Sequence, residues 1–379
     1  MPLLIDVEAV PDESCDHAIE LMAKAYGEGG HDMFRPLENR WARYLCEQFT
    51  ARMGAITGAI EAALKRFLSG DRGDLQKASE PWLRWDGAEF EAVREHLNML
   101  DADLMTLDDW QLLISWLIQR YLPDGVITSQ ADFLATRAVL LGKIQVNLQG
   151  DHRLTDPMLE TLTALLPTRF AEVPLHALTP TELAILHYGR AHAAENIRSV
   201  TGQTRHRMAT VILEHQQARL FGQREGSWQH ASVRLFDEFA ITHKDMRRIA
   251  VTESGELVNQ GYIAATTVGH HVTRIEAYKN TCSFCAGING KTFEVVAPDA
   301  PDKNGDTQIW PGKTNVGRSA SPMKRVGDLL VERSKDELWW PAAGVQHPHC
   351  RGAWVPVTEK PPAVSQQFFD MLQDTLNKV

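Results

Sequence analysis

Apolar residues recur every three or four positions from Phe34 through Leu37, Trp41, Leu45, Phe49, Met53, Ile56, Ile60 and Leu64 to Phe67. That spacing puts them on one stripe of a single long amphipathic helix. Gly54 and Gly58 sit one turn apart inside it, where the lack of a side chain lets a neighbouring element approach closely or marks a bend. Ser69-Gly70-Asp71-Arg72-Gly73 ends the pattern in a loop. Helical spacing predicts further helices near 88–100, 107–121, 129–148 and 156–166, with Pro123-Asp124-Gly125 and Pro167 as breaks. Thr179-Pro180-Thr181-Glu182 writes a helix start, with Thr179 as N-cap, Pro180 in the first helical position and Glu182 placed to close a capping box. The helix that follows carries His187, Arg190, His192 and Arg198. Helical spacing resumes over 205–222, 228–239 and 243–262.

Near residue 265 the period changes. His271 to Tyr278 and Lys291 to Val296 read as β-runs, and Asn289-Gly290 before the second run is a hairpin-turn signal. Pro298 to Met323 is rich in Pro, Gly, Asp, Asn and Ser and reads as a long surface excursion. Beyond Pro361 a short helix is expected, with Phe368, Phe369, Leu372 and Leu376 at helical spacing. The expected fold class is α+β: a mostly helical N-terminal two-thirds followed by a small α/β C-terminal module. Its expected divisions are an acidic helical region over 1–150, a helical and locally basic region over 151–264, the module over 265–357 and a tail helix over 358–379.

With 379 residues, 44% hydrophobic and 23% charged, the chain is ordinary for a soluble folded protein that buries a core. Its longest apolar stretches, such as Leu112 to Ile118, stop well short of the roughly 18 residues needed to span a bilayer, so no membrane partner is expected. The apolar run at Met1-Pro2-Leu3-Leu4-Ile5-Asp6 is too short for a signal peptide, so synthesis in the cytoplasm is expected. A net charge of −10 and a pI near 5.8 argue against a general nucleic-acid coat, because phosphate binding rests mainly on Lys and Arg. The charge is uneven. Residues 1–130 hold nearly twice as many acidic as basic side chains, whereas 169–248 are slightly basic and rich in histidine. Any weak DNA contact should therefore fall within 169–262.

Five cysteines are present. Cys15 and Cys46 stand alone in helical sequence and read as small buried hydrophobes. The other three belong to a constellation. Cys282-Ser283-Phe284-Cys285 follows a β-run, and His347-Pro348-His349-Cys350 supplies a second pair some sixty residues on. Two residues between ligands let both side chains of each pair meet one ion, with thiolate sulfur at about 2.3 Å and imidazole nitrogen at about 2.0 Å from tetrahedral zinc. The donor types favour Zn²⁺ over metals that take oxygen ligands. His349 could stand in for His347, but only His347 keeps the two-residue gap to Cys350. Arg351 follows the last ligand, where its guanidinium could offset the thiolate charge and bond to sulfur. A redox Cys-x-x-Cys would open a helix, and here Gly287 and Asn289-Gly290 should break any helix at once. Cys282, Cys285, His347 and Cys350 together fill a tetrahedron, so the expected zinc is structural: it clamps the ends of a long excursion and leaves no position open for chemistry.

The ordered set of Arg247-Arg248-Ile249-Ala250-Val251-Thr252-Glu253, then Cys282-Ser283-Phe284-Cys285 with Gly290-Lys291-Thr292-Phe293, then His347-Pro348-His349-Cys350-Arg351 resembles the phage Mu protein F-like, or phage head-morphogenesis, family of minor head proteins. The resemblance covers roughly residues 200–357. It departs from the family pattern at Val251, where an Arg is usual, at His349, where an Asn is usual, and at Gly352, which replaces a final Cys. The four-ligand set survives these departures, whereas the role of Glu253 is left open. The resemblance implies a low-copy virion protein inside the head, in the host cytoplasm during assembly, that associates with the portal protein and with scaffold or major capsid protein and assists head morphogenesis or DNA packaging. The acidic N-terminal region lies outside the match and is the expected portal- or scaffold-binding part.

Enzymatic signatures fare less well. Gly290-Lys291-Thr292 and Gly312-Lys313-Thr314 lack the glycine that a phosphate loop needs five positions earlier, where Cys285 and Thr307 stand. Neither His-Glu-x-x-His nor Gly-x-Ser-x-Gly occurs, and the zinc-deaminase pattern fails at Thr281. No catalytic residue is expected. The alternatives are a treble-clef nuclease, with His270, His271 or His349 holding a hydrolytic metal, and a host zinc-ribbon adaptor protein.

Overall fold

The structure is a computed structural model and describes residues 39–71, 87–100, 105–148, 155–223, 228–278 and 281–357. Helix α1 spans Arg40–Leu68 and starts at Asn39, whose side-chain oxygen accepts from the backbone N–H groups of Trp41 and Ala42. The predicted stripe is its buried face, from Leu45 and Phe49 through Met53, Ile60 and Leu64 to Phe67. Phe34 and Leu37 lie outside the described residues, as do Cys15 and the expected C-terminal helix.

Helices α2 (Gly87–Met99), α3 (Leu107–Tyr121), α4 (Asp124–Asn147) and α5 (Asp156–Leu165) follow the predicted spacing closely. The Pro123-Asp124-Gly125 break is narrower than expected, because Pro123 serves as N-cap of α4 and the helix starts at the next residue. Helix α6 (Pro180–Leu220) opens with the expected capping box between Thr179 and Glu182. It then runs unbroken for 41 residues, or about 60 Å. The sequence pattern weakens near Gly202, but Thr201 and Thr204 bond back to the carbonyls of Ile197 and Val200 and stay inside the helix. Helix α7 (Trp228–Ala265) likewise joins two expected segments into one.

Gly54 and Gly58 were expected either to allow a close approach or to mark a bend; a Cβ at either would meet nothing within 4 Å, so no close approach occurs there. The close approach occurs where α4 crosses α7. A Cβ at Gly142 would lie 2.3 Å from the Val258 carbonyl oxygen, and one at Gly261 would lie 2.7 Å from that of Val139. The two backbones touch there, and no larger residue fits. One apolar core runs from Ala42 in α1 through Trp110 and Trp116 in α3 to Val258 in α7. No helix among the described residues is long and apolar enough to cross a membrane. Several arginines of the basic segment pair with carboxylates of other elements: Arg190 with Asp132, Arg198 with Asp124, and Arg207 with Glu238.

The C-terminal module is a four-stranded sheet in the order β3-β2-β1-β6. Strands β1 (His271–Ile275) and β2 (Thr292–Val295) pair antiparallel, β6 (Ala353–Pro356) lies on the other side of β1, and β3 (Gln308–Ile309) runs parallel to β2. Val272, Phe293, Val295, Ile309 and Trp354 form a second core against Tyr262 and Ile263 at the end of α7. The long excursion is less exposed than its composition suggests. Ile309 and Trp310 are buried, and the ammonium of Lys313 is enclosed by the faces of Trp310 and Trp340 while donating to the carbonyls of Gly305 and Gln308. The hairpin of β4 (Met323–Val326) and β5 (Leu329–Glu332) projects with its apolar side chains exposed.

Candidate metal centre

Between β1 and β2 the chain makes the short helix α8 (Ser283–Ile288), with Cys282 as its N-cap. The helix that Gly287 was expected to prevent therefore forms, for a turn and a half, because glycine lowers helix propensity without forbidding it. Asn289-Gly290 ends α8 instead of turning a hairpin. Gly290 takes a φ of 75°, and the Asn289 side chain accepts from the Glu276 backbone N–H. This geometry points both Cys282 and Cys285 toward the loop that carries His347.

The Nε2 of His347 lies 3.4 Å from the Cys282 sulfur and 3.3 Å from the Cys285 sulfur. Tetrahedral zinc would place sulfur and imidazole ligands about 3.5 Å apart, so this spacing suits a shared ion. The ring is aimed by its surroundings. Its Nδ1 sits 2.8 Å from the Pro348 carbonyl oxygen, so the proton belongs on Nδ1 and the Nε2 lone pair faces the thiols. Trp339 stacks on the imidazole with 15° between the planes, and Phe284 meets Trp339 edge-on.

Cys350 reaches the cluster from the other side. Its N–H bonds to the His347 carbonyl in a tight turn that leaves His349 at a φ of 67°. The buried Cys350 sulfur lies 3.4 Å from Nη2 of Arg274, 3.4 Å from Oε1 of Glu276 and 3.9 Å from the Tyr278 hydroxyl. Two ligand triads result, Cys282 with Cys285 and His347, and Cys285 with Cys350 and Glu276; within each triad the donor atoms lie within 4.8 Å of one another. Cys282, Cys285, His347 and Cys350 thus form a cluster that could hold a metal ion, with Cys285 as the shared member.

The electrostatics separate the thiols. Donation to Cys350, and after it burial, push the Cys285 thiol up. Burial also works to raise Cys350, but accepting that bond and the nearby Arg274 guanidinium bring it below the ordinary thiol value. Cys46, by contrast, is pushed up to about 12 by burial and stays a neutral core side chain, as its isolation suggested.

Sequence reasoning assigned the charge-offsetting role to Arg351, but the guanidinium at the sulfur belongs to Arg274. Arg351 is also buried, and its charge acts on Cys46 of α1. Arg274 and Glu276 were missed altogether. They sit two positions apart in and just beyond β1, so both turn to the inner face, where they form an ion pair of 2.7 Å with side chains wholly shielded from water. The one sequence signal for this is two opposite charges at a β-spacing of two beside an apolar inward residue, Val272.

One face of α7 docks the whole loop. Arg248, Thr252, Glu256 and Gln260 recur every four residues and so lie in one row along the helix. Arg248 donates to Nε2 of His349, and Thr252 accepts from the His349 backbone N–H. Glu256 accepts from the Val345 N–H at 2.6 Å, and Gln260 accepts from Gly312. Asn259, beside this row, donates to the Gly352 carbonyl. His349 is therefore held by α7, whereas His347 faces the cysteines. Glu253 is buried on the neighbouring face, accepting from Asn196 and lying 3.0 Å from Nδ1 of His192; it ties α6 to α7. His270 and His271 are exposed at the start of β1. No protein-family model, curated protein or solved structure matches the chain.

Proposed function

We propose that the chain is a phage minor head protein of the Mu F-like kind, acting in head morphogenesis at the portal vertex, with Zn²⁺ as a structural brace. The observation that carries this reading is that three motifs far apart in sequence meet in one assembly. Cys282 and Cys285 face His347, Cys350 joins them through Cys285, and Arg248 and Thr252 hold His349 between His347 and Cys350. The left-handed φ of His349 also supports it, because the resembled motif carries Asn at that position, a residue that tolerates such a backbone. Three thiols and one imidazole are the donor set of a structural zinc, and four protein donors saturate a tetrahedral ion, so the reading is non-enzymatic.

Metal analysis of the purified chain tests the brace: one zinc per chain is expected, lost in Cys282→Ser, and a metal-free wild type would end it. Crosslinking to a phage portal protein tests the role. Crosslinks that survive deletion of residues 1–150 would move the contact out of the acidic region, and none at all would remove the portal assignment. A DNA contact through 169–262 is the subordinate part of the proposal. Its arginines already pair with Asp132, Asp124 and Glu238, so phosphate must compete with them, and binding should fall steeply with salt.

A further inference from the structure

We propose that the metal centre has a fifth protein donor, the carboxylate of Glu276, which takes the place of Cys350 when that thiolate leaves the ion. The inference rests on the metal reading above and deepens it. Glu276, Cys285 and Cys350 form a ligand-capable triad in their own right, and the carboxylate oxygens lie 3.4 and 3.6 Å from the Cys350 sulfur. The Cys350 thiol donates to this carboxylate, and three further contacts fix Glu276 in place. Arg274 holds Oε1 and reaches the same sulfur, Asn289 fixes the Glu276 backbone N–H, and the Thr281 hydroxyl holds its carbonyl.

Space has also been made for it. A Cβ at Gly352 would lie 2.2 Å from the carboxyl carbon of Glu276, so the absence of a side chain at 352 is what lets the carboxylate occupy this position. Arg274 Nε donates to Oε1, and both carboxylate oxygens lie at the Cys350 sulfur, Oε1 at 3.4 Å and Oε2 at 3.6 Å. An oxygen donor suits zinc as the fourth ligand beside two thiolates and an imidazole. The exchange is a ligand substitution without redox change: the metal–sulfur bond to Cys350 breaks, a metal–oxygen bond to Glu276 forms, and Arg274 stays paired throughout.

Cobalt(II) titration of the full chain tests this, since the near-ultraviolet thiolate-to-cobalt absorption scales with the number of bound thiolates. Wild type and Glu276→Gln should bind one equivalent with the full three-thiolate band. Cys350→Ser should still bind one equivalent, with two-thirds of the band and an affinity at most about 100-fold weaker; adding Glu276→Gln should weaken it by about another 100-fold, within the range seen when groups supporting a metal site are removed. Glu276→Asp in the Cys350→Ser background keeps a partner for Arg274 and so preserves the fold, and its affinity should fall at least about tenfold because the carboxylate is drawn back by one methylene. If Cys350→Ser binds cobalt no better than its double variant, Glu276 is not a donor. If wild type binds no cobalt, the metal reading itself fails, a separate result.

Discussion

Single atoms decide most of what happens around Cys350. Gly352→Ala forces a methyl group into the Glu276 carboxylate, which must move and break a shielded ion pair with Arg274. Breaking a buried pair costs about 3–5 kcal/mol, so urea melts of this variant should show a loss of that size. A variant as stable as the wild type would mean that Glu276 has room to spare. His349 makes a related point through its backbone. At a φ of 67° a β-branched residue is strained, so His349→Val should lose about 1–3 kcal/mol from strain and from the broken bond to Arg248, while His349→Asn should lose less. The four residues of the cluster were legible in sequence because metal-ligand spacing is local within each pair. Arg274 and Glu276 were not, since a charged residue in a strand reads as solvent-facing until its face is known.

At the scale of elements, spacing predicts where helices lie better than how they touch. Helix α1 and the capping box of α6 were legible because both depend on residues a few positions apart. The joining of two expected segments into α6 was not, because Gly202 and the threonines around it look like a break while their side chains bond back along the helix. The glycines show the same limit. Nothing local distinguishes Gly54 and Gly58 from Gly142 and Gly261, yet only the second pair lies at a backbone contact. Gly54→Ala should stabilise the chain by about 0.5–1 kcal/mol, the ordinary helix gain, since its Cβ meets nothing. Gly142→Ala should instead cost at least about 3 kcal/mol, because Val258 and Tyr262 backbone atoms stand within 2.6 Å of the added carbon. Thermal melts of the two variants should shift in opposite directions, and a shared direction would show that the α4–α7 backbones have room to separate.

The whole molecule joins two cores through α7, and two histidines on its helices give its stability a pH dependence of opposite signs. His243, packed against Thr57 of α1, is pushed below its ordinary value by burial, which outweighs the nearby Glu61. The unfolded chain therefore takes up this proton first, so the stability it leaves intact above about pH 6.5 falls as the pH drops below that value. His192 is raised, chiefly by its bond to Glu253 and against the pull of burial. Its contribution is fully present below about pH 6.5 and is lost as the pH rises through the higher folded value. In His243→Gln the decline in stability between pH 7 and pH 5 should be shallower than in wild type, and in His192→Gln it should be steeper. Acid also strips protonated ligands from any bound metal, but that effect is common to all three proteins and cancels when each variant is compared with wild type. Equal slopes for the three in urea melts would show that neither histidine changes its proton affinity on folding, and that the α1–α7 and α6–α7 contacts do not carry the charges assigned to them.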